Sequence, residues 1–329
     1  MDPLRRVLLG GLAALAAMPL ASPAATQTSE PLKVGSLKFG TVNWLLDTIA
    51  GDKVDVRERV RLERLELASN QATTVALQAG AVDLIVSDWF WAMRQRAEGD
   101  SLLFRPYSNA LGALMVPRDK GFSSLADLKG KRLGVAGSAL DKSWLLLRAF
   151  SRNKLHADLA DIAEPVYGAP PLLSEQLRLG RLDGVLTFWN FAARLDAAGY
   201  QPLIDMDDVL TELGVTPSPP LVGFVWREEL LRSKPDQIAA FFRAVSGANQ
   251  ILKTEDAAWE RLRPSMSIET DAEFVRLKEY FRAGIPTPWG DAETKAAERL
   301  FGILSELGGP ELVGPRTRFD PTLFWMPKG

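Results

Sequence analysis

AGAVDLIVSDW, residues 79–89, decides the fold, because a second copy of this pattern follows 100 positions later. The second copy is LGRLDGVLTFW, residues 179–189. Each stretch completes a helix, stops it at a glycine, and continues through an acidic turn into a short apolar strand. Each strand then ends in Ser or Thr and aromatic residues. Because a period near 100 is too long for a solenoid, the repeat predicts two similar lobes.

Short apolar runs alternate with helical stretches around these two segments. Leu32–Leu37 and residues 65–68 and 83–86 have strand character, and residues 70–79 form a helix stopped by Gly80. Strands that alternate with helices indicate an α/β class in which each lobe is a mostly parallel sheet flanked by helices.

Two proline-marked segments are predicted to cross between the lobes. A strand that ends at Pro117 leads out of the first lobe, and the joint at residues 217–220 (PSPP) leads back into an apolar strand. The expected division is 30–114 and 222–329 for lobe one and 115–221 for lobe two, joined by two crossover strands. Helical spacing continues from Pro235 onward, and these helices are expected to pack on the first lobe.

The N-terminal residues have the pattern of an export signal. Arg5 and Arg6 precede the uncharged apolar run 7–20 (VLLGGLAALAAMPL), and small residues follow up to Ala25. We expect a signal peptide over residues 1–24, cleaved near Ala24, and a periplasmic protein; an uncleaved anchor is the alternative. The Arg5-Arg6 pair leaves both the general and the twin-arginine export routes open.

Composition excludes several classes of function. The chain of 329 residues has 39 Lys and Arg against 41 Asp and Glu, with no basic run for nucleic acid. With Cys 0 and His 1, thiol chemistry is absent and a Ser-His-Asp triad would have to use His156. The acidic triplet Asp205, Asp207 and Asp208 lacks EF-hand spacing, so neither a metal site nor a cofactor is expected. A binding protein is favoured over an enzyme.

Several segments resemble a known family. They are residues 34–37 (VGSL), 76–83 (ALQAGAVD), 123–135 (SSLADLKGKRLGV) and 177–183, of which DLKGK at 127–131 is the most specific. The chain resembles the periplasmic substrate-binding proteins of ABC importers for sulfonates, taurine, nitrate and pyrimidine precursors, the SsuA/THI5-like and NMT1-like group. The resemblance implies a two-lobed periplasmic-binding-protein fold of type II that closes like a Venus flytrap. It also implies a monomer that delivers its ligand to an ABC permease in the inner membrane.

Candidate ligand-binding residues follow the carboxyl ends of the predicted strands, where open α/β sheets bind ligands. In lobe one they are Ser36, Lys38, Phe39, Gly40, Ser69, Asn70, Gln71, Ser87, Asp88 and Trp89; in lobe two they are Gly137, Ser138, Asp141, Lys142, Ser143, Thr187, Phe188 and Trp189.

Each type of candidate side chain has two interpretations. The serines either cap helices or help to bind an anion, and the lysines either pair with a sulfonate or carboxylate or remain solvated. Asp88 either binds a ligand amine or caps a helix, and Trp89 and Trp189 are expected to form flat pocket walls. The expected ligand is a small organic anion, sulfonate-like, or a heteroaromatic nutrient. A periplasmic enzyme or accessory factor that reuses the fold is the alternative.

Overall fold

Two five-stranded sheets carry the fold in the computed structural model, which describes residues 30–326. The predicted signal peptide lies outside these residues. In chain order the strands are β1 (Leu32–Leu37), β2 (Leu62–Leu67), β3 (Leu84–Asp88), β4 (Leu102–Ser108), β5 (Gly112–Pro117), β6 (Arg132–Ala136), β7 (Glu164–Gly168), β8 (Gly184–Phe188), β9 (Tyr200–Asp205) and β10 (Val222–Arg227). The first sheet has the order β2-β1-β3-β10-β4 and the second the order β7-β6-β8-β5-β9. The two-lobed α/β architecture is therefore confirmed.

Helices surround both sheets. They are α1 (Val42–Gly51), α2 (Val54–Glu58), α3 (Asn70–Gln78), α4 (Trp89–Ala97), α5 (Lys142–Leu155), α6 (Leu159–Ile162), α7 (Pro170–Arg178), α8 (Trp189–Ala197), α9 (Met206–Glu212), α10 (Leu230–Ser233), α11 (Pro235–Thr254), α12 (Asp256–Leu262), α13 (Asp271–Ala283) and α14 (Asp291–Val313). Both α3 with α7 and α4 with α8 begin and end 100 residues apart, so the sequence repeat is a structural repeat. None of the helices within residues 30–326 is long and apolar enough to cross a membrane.

Each sheet is mixed, but four of its five strands run in the same direction, as expected of a mostly parallel sheet. Strands β1, β2 and β3 are parallel, as are β6, β7 and β8. The neighbouring strands β10 and β5 are antiparallel on both of their sides. These are the two strands that the chain enters immediately after crossing from the other lobe. They run antiparallel to the strands of the repeated βαβ units.

The outward crossing lies a few residues before the expected boundary. Strand β4 ends at Ser108 in the first sheet and β5 begins at Gly112 in the second, so a limit at 114/115 falls inside β5. Pro117 ends that strand at its pairing with Tyr200 and does not mark the crossing. A Cβ on Gly112 would lie 2.0 Å from the Thr187 carbonyl oxygen, which requires a glycine where the chain enters the second sheet.

The C-terminal helices contact both lobes, whereas packing on the first lobe alone was expected. Helices α11 to α13 share an apolar core with β1 and β10, as predicted. Helix α14, however, packs Leu300 and Phe301 into one cluster with Phe90 of α4 and Trp144 of α5. On α8, Arg194 forms an ion pair with Glu273 of α13 at 2.6 Å. The second lobe is therefore held by side-chain contacts in addition to the two crossings.

Candidate functional site

The carboxyl ends of the parallel strands of the two lobes face each other. In lobe one, β1 and β3 lead into α1 and α4; in lobe two, β6 and β8 lead into α5 and α8. The Asp88 carboxylate at the end of β3 lies 3.4 Å from the Lys142 ammonium at the start of α5. This ion pair joins two residues that the sequence assigned to opposite walls of one cleft, and it locates the candidate site between the lobes.

Asp88 has the capping role that the sequence offered, and it also pairs with a lysine of the other lobe. Its Oδ1 accepts a hydrogen bond of 3.0 Å from the Trp91 N–H, so it caps α4. The same oxygen pairs with Lys142, whose Nζ also lies 5.6 Å from the centroid of the Phe90 ring. Both charged side chains keep about a quarter of their surface exposed, 28% for Asp88 and 22% for Lys142. Both charged groups are therefore reached by solvent.

Asp141 adds a second carboxylate to this corner of the cleft. It caps α5 by accepting a hydrogen bond of 3.1 Å from the Trp144 N–H. Burial raises the pKa of Asp141, and the nearby Asp88 carboxylate raises it further, while the Trp144 N–H and the Lys142 ammonium act in the opposite direction. Because the protein's own carboxylate occupies the start of α5, that helix end does not receive a ligand anion in this arrangement.

The starts of α3 and of the loop before α5 are also capped by the chain itself. Ser69 Oγ accepts a hydrogen bond from the Ala72 N–H, and Ser138 Oγ accepts one from the Leu140 N–H. Asn70 and Gln71 are exposed on the first turn of α3. Ser69 thus caps α3, as one of its two interpretations had it. Ser138 makes a turn contact in the loop, and the cap of α5 is Asp141.

Helix α8 differs from its repeat partner at this point. The residue equivalent to Asp88 is Phe188, and no side chain caps α8; the Trp189 N–H donates to the Leu111 carbonyl oxygen. Just before it, the Thr187 hydroxyl is buried and has no hydrogen-bond partner within residues 30–326. The same is true of the Ser36 hydroxyl at the end of β1. Unsatisfied buried hydroxyls are rare, which makes these two groups candidates to meet a ligand.

Of the two tryptophans expected to form pocket walls, Trp89 is buried and Trp189 is partly exposed. Trp89 is fully buried, stacks on Phe90 at 3.8 Å, and donates its indole N–H to the Pro220 carbonyl oxygen. The expectation that Trp89 forms a pocket wall is wrong, because α14 and the C-terminal segment cover it. Trp189 is partly exposed, with its ring edge-on to Trp44 at 6.1 Å.

Two other aromatic candidates, Phe39 and Phe188, are exposed at the ends of their strands, and Tyr167 is exposed as well. Phe39 follows β1 and is 82% exposed, Phe188 ends β8 and is 42% exposed, and Tyr167 lies near the end of β7 and is also 42% exposed. The ammonium of Lys38 lies 5.5 Å from the Phe39 ring centroid. Tyr167 was absent from the sequence prediction, although the Gly-Ala-Pro-Pro run after it is a recognisable strand-to-helix turn.

The remaining candidates shape the loops. The Gly40 N–H donates to the Leu37 carbonyl oxygen, and Gly137, at φ +99°, donates its N–H to the Gly168 carbonyl oxygen. Ser87 and Ser143 are partly buried beside Asp88 and Lys142 in the chain. Asn43, which the sequence did not single out, donates its amide N–H groups to the carbonyl oxygens of Leu37 and Lys38 and so fixes the loop after β1.

Nothing among the described residues forms a metal-binding group of three or more His, Cys, Asp or Glu side chains. His156 ends α5 at the surface with φ 55°. The site thus consists of one inter-lobe ion pair, exposed aromatic rings, buried hydroxyls and an uncapped helix start, which are binding groups.

Comparison with known proteins places these features in a family and a fold. The model of the NMT1/THI5-like family matches residues 58–258, more than half of the chain. No curated protein sequence matches the chain.

Solved structures share the whole architecture. The periplasmic aliphatic sulphonate-binding protein SsuA from Escherichia coli has a TM-score of 0.72 at 16% identity, over 91% of this chain and 93% of that chain. The alkanesulfonate-binding protein SsuA from Xanthomonas axonopodis pv. citri, bound to MOPS, has a TM-score of 0.63 at 18% identity, over 87% and 97%. The desulfurization enzyme DSZB has a TM-score of 0.60 at 15% identity, over 85% and 92%. At these identities the likeness concerns the fold.

Proposed function

Because this chain belongs to the NMT1/THI5-like family, we propose that it is the periplasmic solute-binding receptor of an ABC importer. The receptor captures a small organic anion, sulfonate-like, or a heteroaromatic nutrient, by closing its two lobes. Export through a signal peptide over residues 1–24 and delivery to an inner-membrane ABC permease are parts of the same proposal.

The observation that carries the proposal is the Asp88–Lys142 ion pair of 3.4 Å between the lobes. It brings a cation of lobe two and an anion of lobe one to the place where a ligand would meet both. A ligand that contacts both lobes binds the closed form more tightly than the open form, and that difference drives closure.

An anionic group fits the lobe-two side of the cleft best. Lys142 supplies a positive charge there, and α8 and α7 begin without a side-chain cap. Helix starts present N–H groups and partial positive charge to an anion. By contrast α4 and α5 are already capped by Asp88 and Asp141. A ligand anion would thus take the place of the Asp88 carboxylate at Lys142, and a ligand amine would pair with Asp88.

The carbon frame of the ligand has aromatic surface available. Phe39 in lobe one and Phe188 and Tyr167 in lobe two are exposed at the edges where the lobes meet. Exposed rings of this size favour an organic ligand over a bare inorganic ion, because an apolar wall with a few fixed polar groups is the usual form of an organic ligand site.

A calorimetric titration of the purified protein tests the proposal. MOPS, taurine and an aminopyrimidine are the first probes, since they represent the two ligand classes. For the probe that binds most tightly, we expect Lys142→Met to weaken binding about tenfold or more if the ligand is an anion, because a charge-assisted contact is lost. Lys154→Met is the matched control, because Lys154 is on the same helix but pairs with Glu212; it should leave the dissociation constant unchanged.

Product analysis of the same mixtures separates a receptor from an enzyme, an alternative made concrete by the similarity to DSZB. Recovery of the probe unaltered supports the receptor. Conversion of the probe, or equal affinity of the Lys142→Met and wild-type proteins for an anion, would overturn the proposal.

A further inference from the structure

A cavity of about 590 Å³ lies at the joint of the two lobes. Both crossings line it, with Leu111 and Gly112 from the outward one and Pro217 and Pro220 from the return. Of the eighteen residues that the sequence assigned to the ligand cleft, only Trp189 lines this cavity. It is thus a second place where a ligand would contact both lobes.

The wall of the cavity is negatively charged. Four carboxylates line it, Asp205, Asp207, Glu279 and Glu293, and none of its lining residues is Lys, Arg or His. Glu279 pairs with Arg276 at 2.8 Å, and one Glu293 oxygen accepts the Gly290 N–H. The carboxylates of Asp205 and Asp207 have no partner of this kind among the described residues.

Asp205 and Asp207 carry the uncompensated charge. Neither forms an ion pair within 4.0 Å in the part of the chain that the structure describes. Partial burial raises the pKa of Asp205, and the carboxylates of Asp208 and Asp207 raise it further. A cation entering the cavity would relieve this repulsion.

Three aromatic side chains form the rest of the recognition surface, and each is held in place. Trp289 stacks on Phe324 at 4.4 Å and donates its indole N–H to the Thr294 hydroxyl. Trp189 lies edge-on to Trp44. Burial, and then the carboxylates of Asp196 and Asp205, raise the pKa of Tyr280 to about 12, so this third ring remains a neutral phenol. Aromatic faces attract cations, and they do so more strongly when the site is partly desolvated.

We propose that this hinge cavity binds a small organic ammonium ion, with the ammonium group at Asp205 and Asp207 and the carbon frame against the aromatic rings. The inference goes beyond the proposed function, since it concerns a different site and a ligand of opposite charge. Because both crossings line the cavity, the bound ion biases the equilibrium between open and closed lobes.

Titration with phenethylamine tests the charge requirement, and 2-phenylethanol serves as the neutral isostere. We expect the amine to bind and the alcohol to bind at least about tenfold more weakly, because the alcohol lacks the charge that the carboxylates and rings attract. Equal affinity for the two compounds, or absence of amine binding at millimolar concentration, would overturn the proposal.

Variants then locate the binding site. The double substitution Asp205→Asn with Asp207→Asn should weaken amine binding about tenfold or more. Glu212→Gln is the matched control: Glu212 is also on α9, pairs with Lys154 and does not line the cavity, so this substitution should change the affinity less than threefold. If the amine is lost in Asp88→Asn and retained in the double variant, it binds in the cleft and the hinge site is refuted.

The double variant also separates this inference from the proposed receptor function. Its affinity for the cleft ligand should match that of the wild type, and its melting temperature should be no lower, since the asparagines keep the shape of the side chains and remove the repulsion between the carboxylates. Failure of the cleft ligand to bind the wild type would refute the receptor and leave the result at the hinge unaffected.

Discussion

Replacing Glu273 with Ala tests whether the α13–α8 contact contributes to holding the lobes together. Glu273 Oε1 accepts a hydrogen bond of 2.6 Å from Arg194, and Glu273 Oε2 accepts one of 2.6 Å from the Glu269 N–H. The glutamate side chain is 7% exposed and the arginine 22% exposed. Arg194 also donates to the carbonyl oxygens of Met266 and Ser267. The substitution therefore leaves a mostly buried guanidinium with two neutral acceptors.

The expected cost follows from these contacts. Removing one partner of a buried ion pair costs about 3–5 kcal/mol, and the remaining acceptors and partial exposure of Arg194 reduce this to about 2–3 kcal/mol. The Glu269 N–H loses its acceptor, which adds about 1 kcal/mol. We expect Glu273→Ala to lower the free energy of unfolding by about 3 kcal/mol, and Glu273→Gln, which keeps an acceptor, by about 2 kcal/mol.

Urea unfolding followed by tryptophan emission measures this difference. Glu279→Ala is the control on the same helix, because Glu279 pairs with Arg276 at the surface, with side-chain exposures of 50% and 44%. Such a pair contributes less than about 1 kcal/mol. If Glu273→Ala costs no more than Glu279→Ala, the pair does not stabilise the contact between α13 and α8.

Two further predictions concern the crossing and the acid stability. A Cβ on Gly112 would lie 2.0 Å from a backbone oxygen of β8, so Gly112→Ala should cost about 2 kcal/mol or more in urea unfolding. Gly302→Ala, on α14 with open space around it, should be neutral or stabilising by up to about 1 kcal/mol; equal costs for the two would contradict the close approach. Burial raises the pKa of Asp158, but hydrogen bonds from Arg148 and Arg152, together with a backbone N–H, outweigh it and lower the pKa from 3.8 to about 2. Because the folded pKa is depressed, this stabilisation is present above pH 3.8 and is lost as the pH falls towards about 2. In melting curves recorded from pH 7 down to about pH 2, Asp158→Asn should lower the melting temperature at pH 7 and flatten its decline in acid. An unchanged decline would refute the assignment.

The two-lobed fold was predictable because the same pattern of a helix end, a turn and a strand occurs twice in the chain. The helix-turn-strand pattern at 79–89 and 179–189 depends on local features, a glycine stop and an apolar run, and local features are what a sequence shows directly. The pairing direction of β5 and β10 was not predictable in this way. It depends on where each crossing strand enters the opposite sheet, which no local pattern records.

The different burial of two equivalent tryptophans shows where prediction of the site failed. Trp89 and Trp189 occupy equivalent positions in the repeat, yet Trp89 is fully buried and Trp189 is not. Phe301 of α14 and Phe324 pack around Trp89, and both come more than 200 residues later in the chain. Tyr167 was missed for another reason. Its strand, β7, contains Pro165, which argues against a strand unless that strand is at an edge, and β7 is an edge strand.

The two copies of the repeat differ at the residue that precedes the following helix, and this difference bears on ligand binding. Asp88 caps α4 in lobe one, whereas Phe188 leaves α8 of lobe two without a side-chain cap. The charged partner of Asp88 in lobe two is Lys142, at the start of α5. Because Asp88 and Lys142 carry opposite charges, they attract each other across the cleft, and in the proposed receptor each is a group for which an entering ligand competes. Selectivity then depends on whether the ligand offers Lys142 a better anion than Asp88 does, while keeping the contacts to both lobes that favour the closed form.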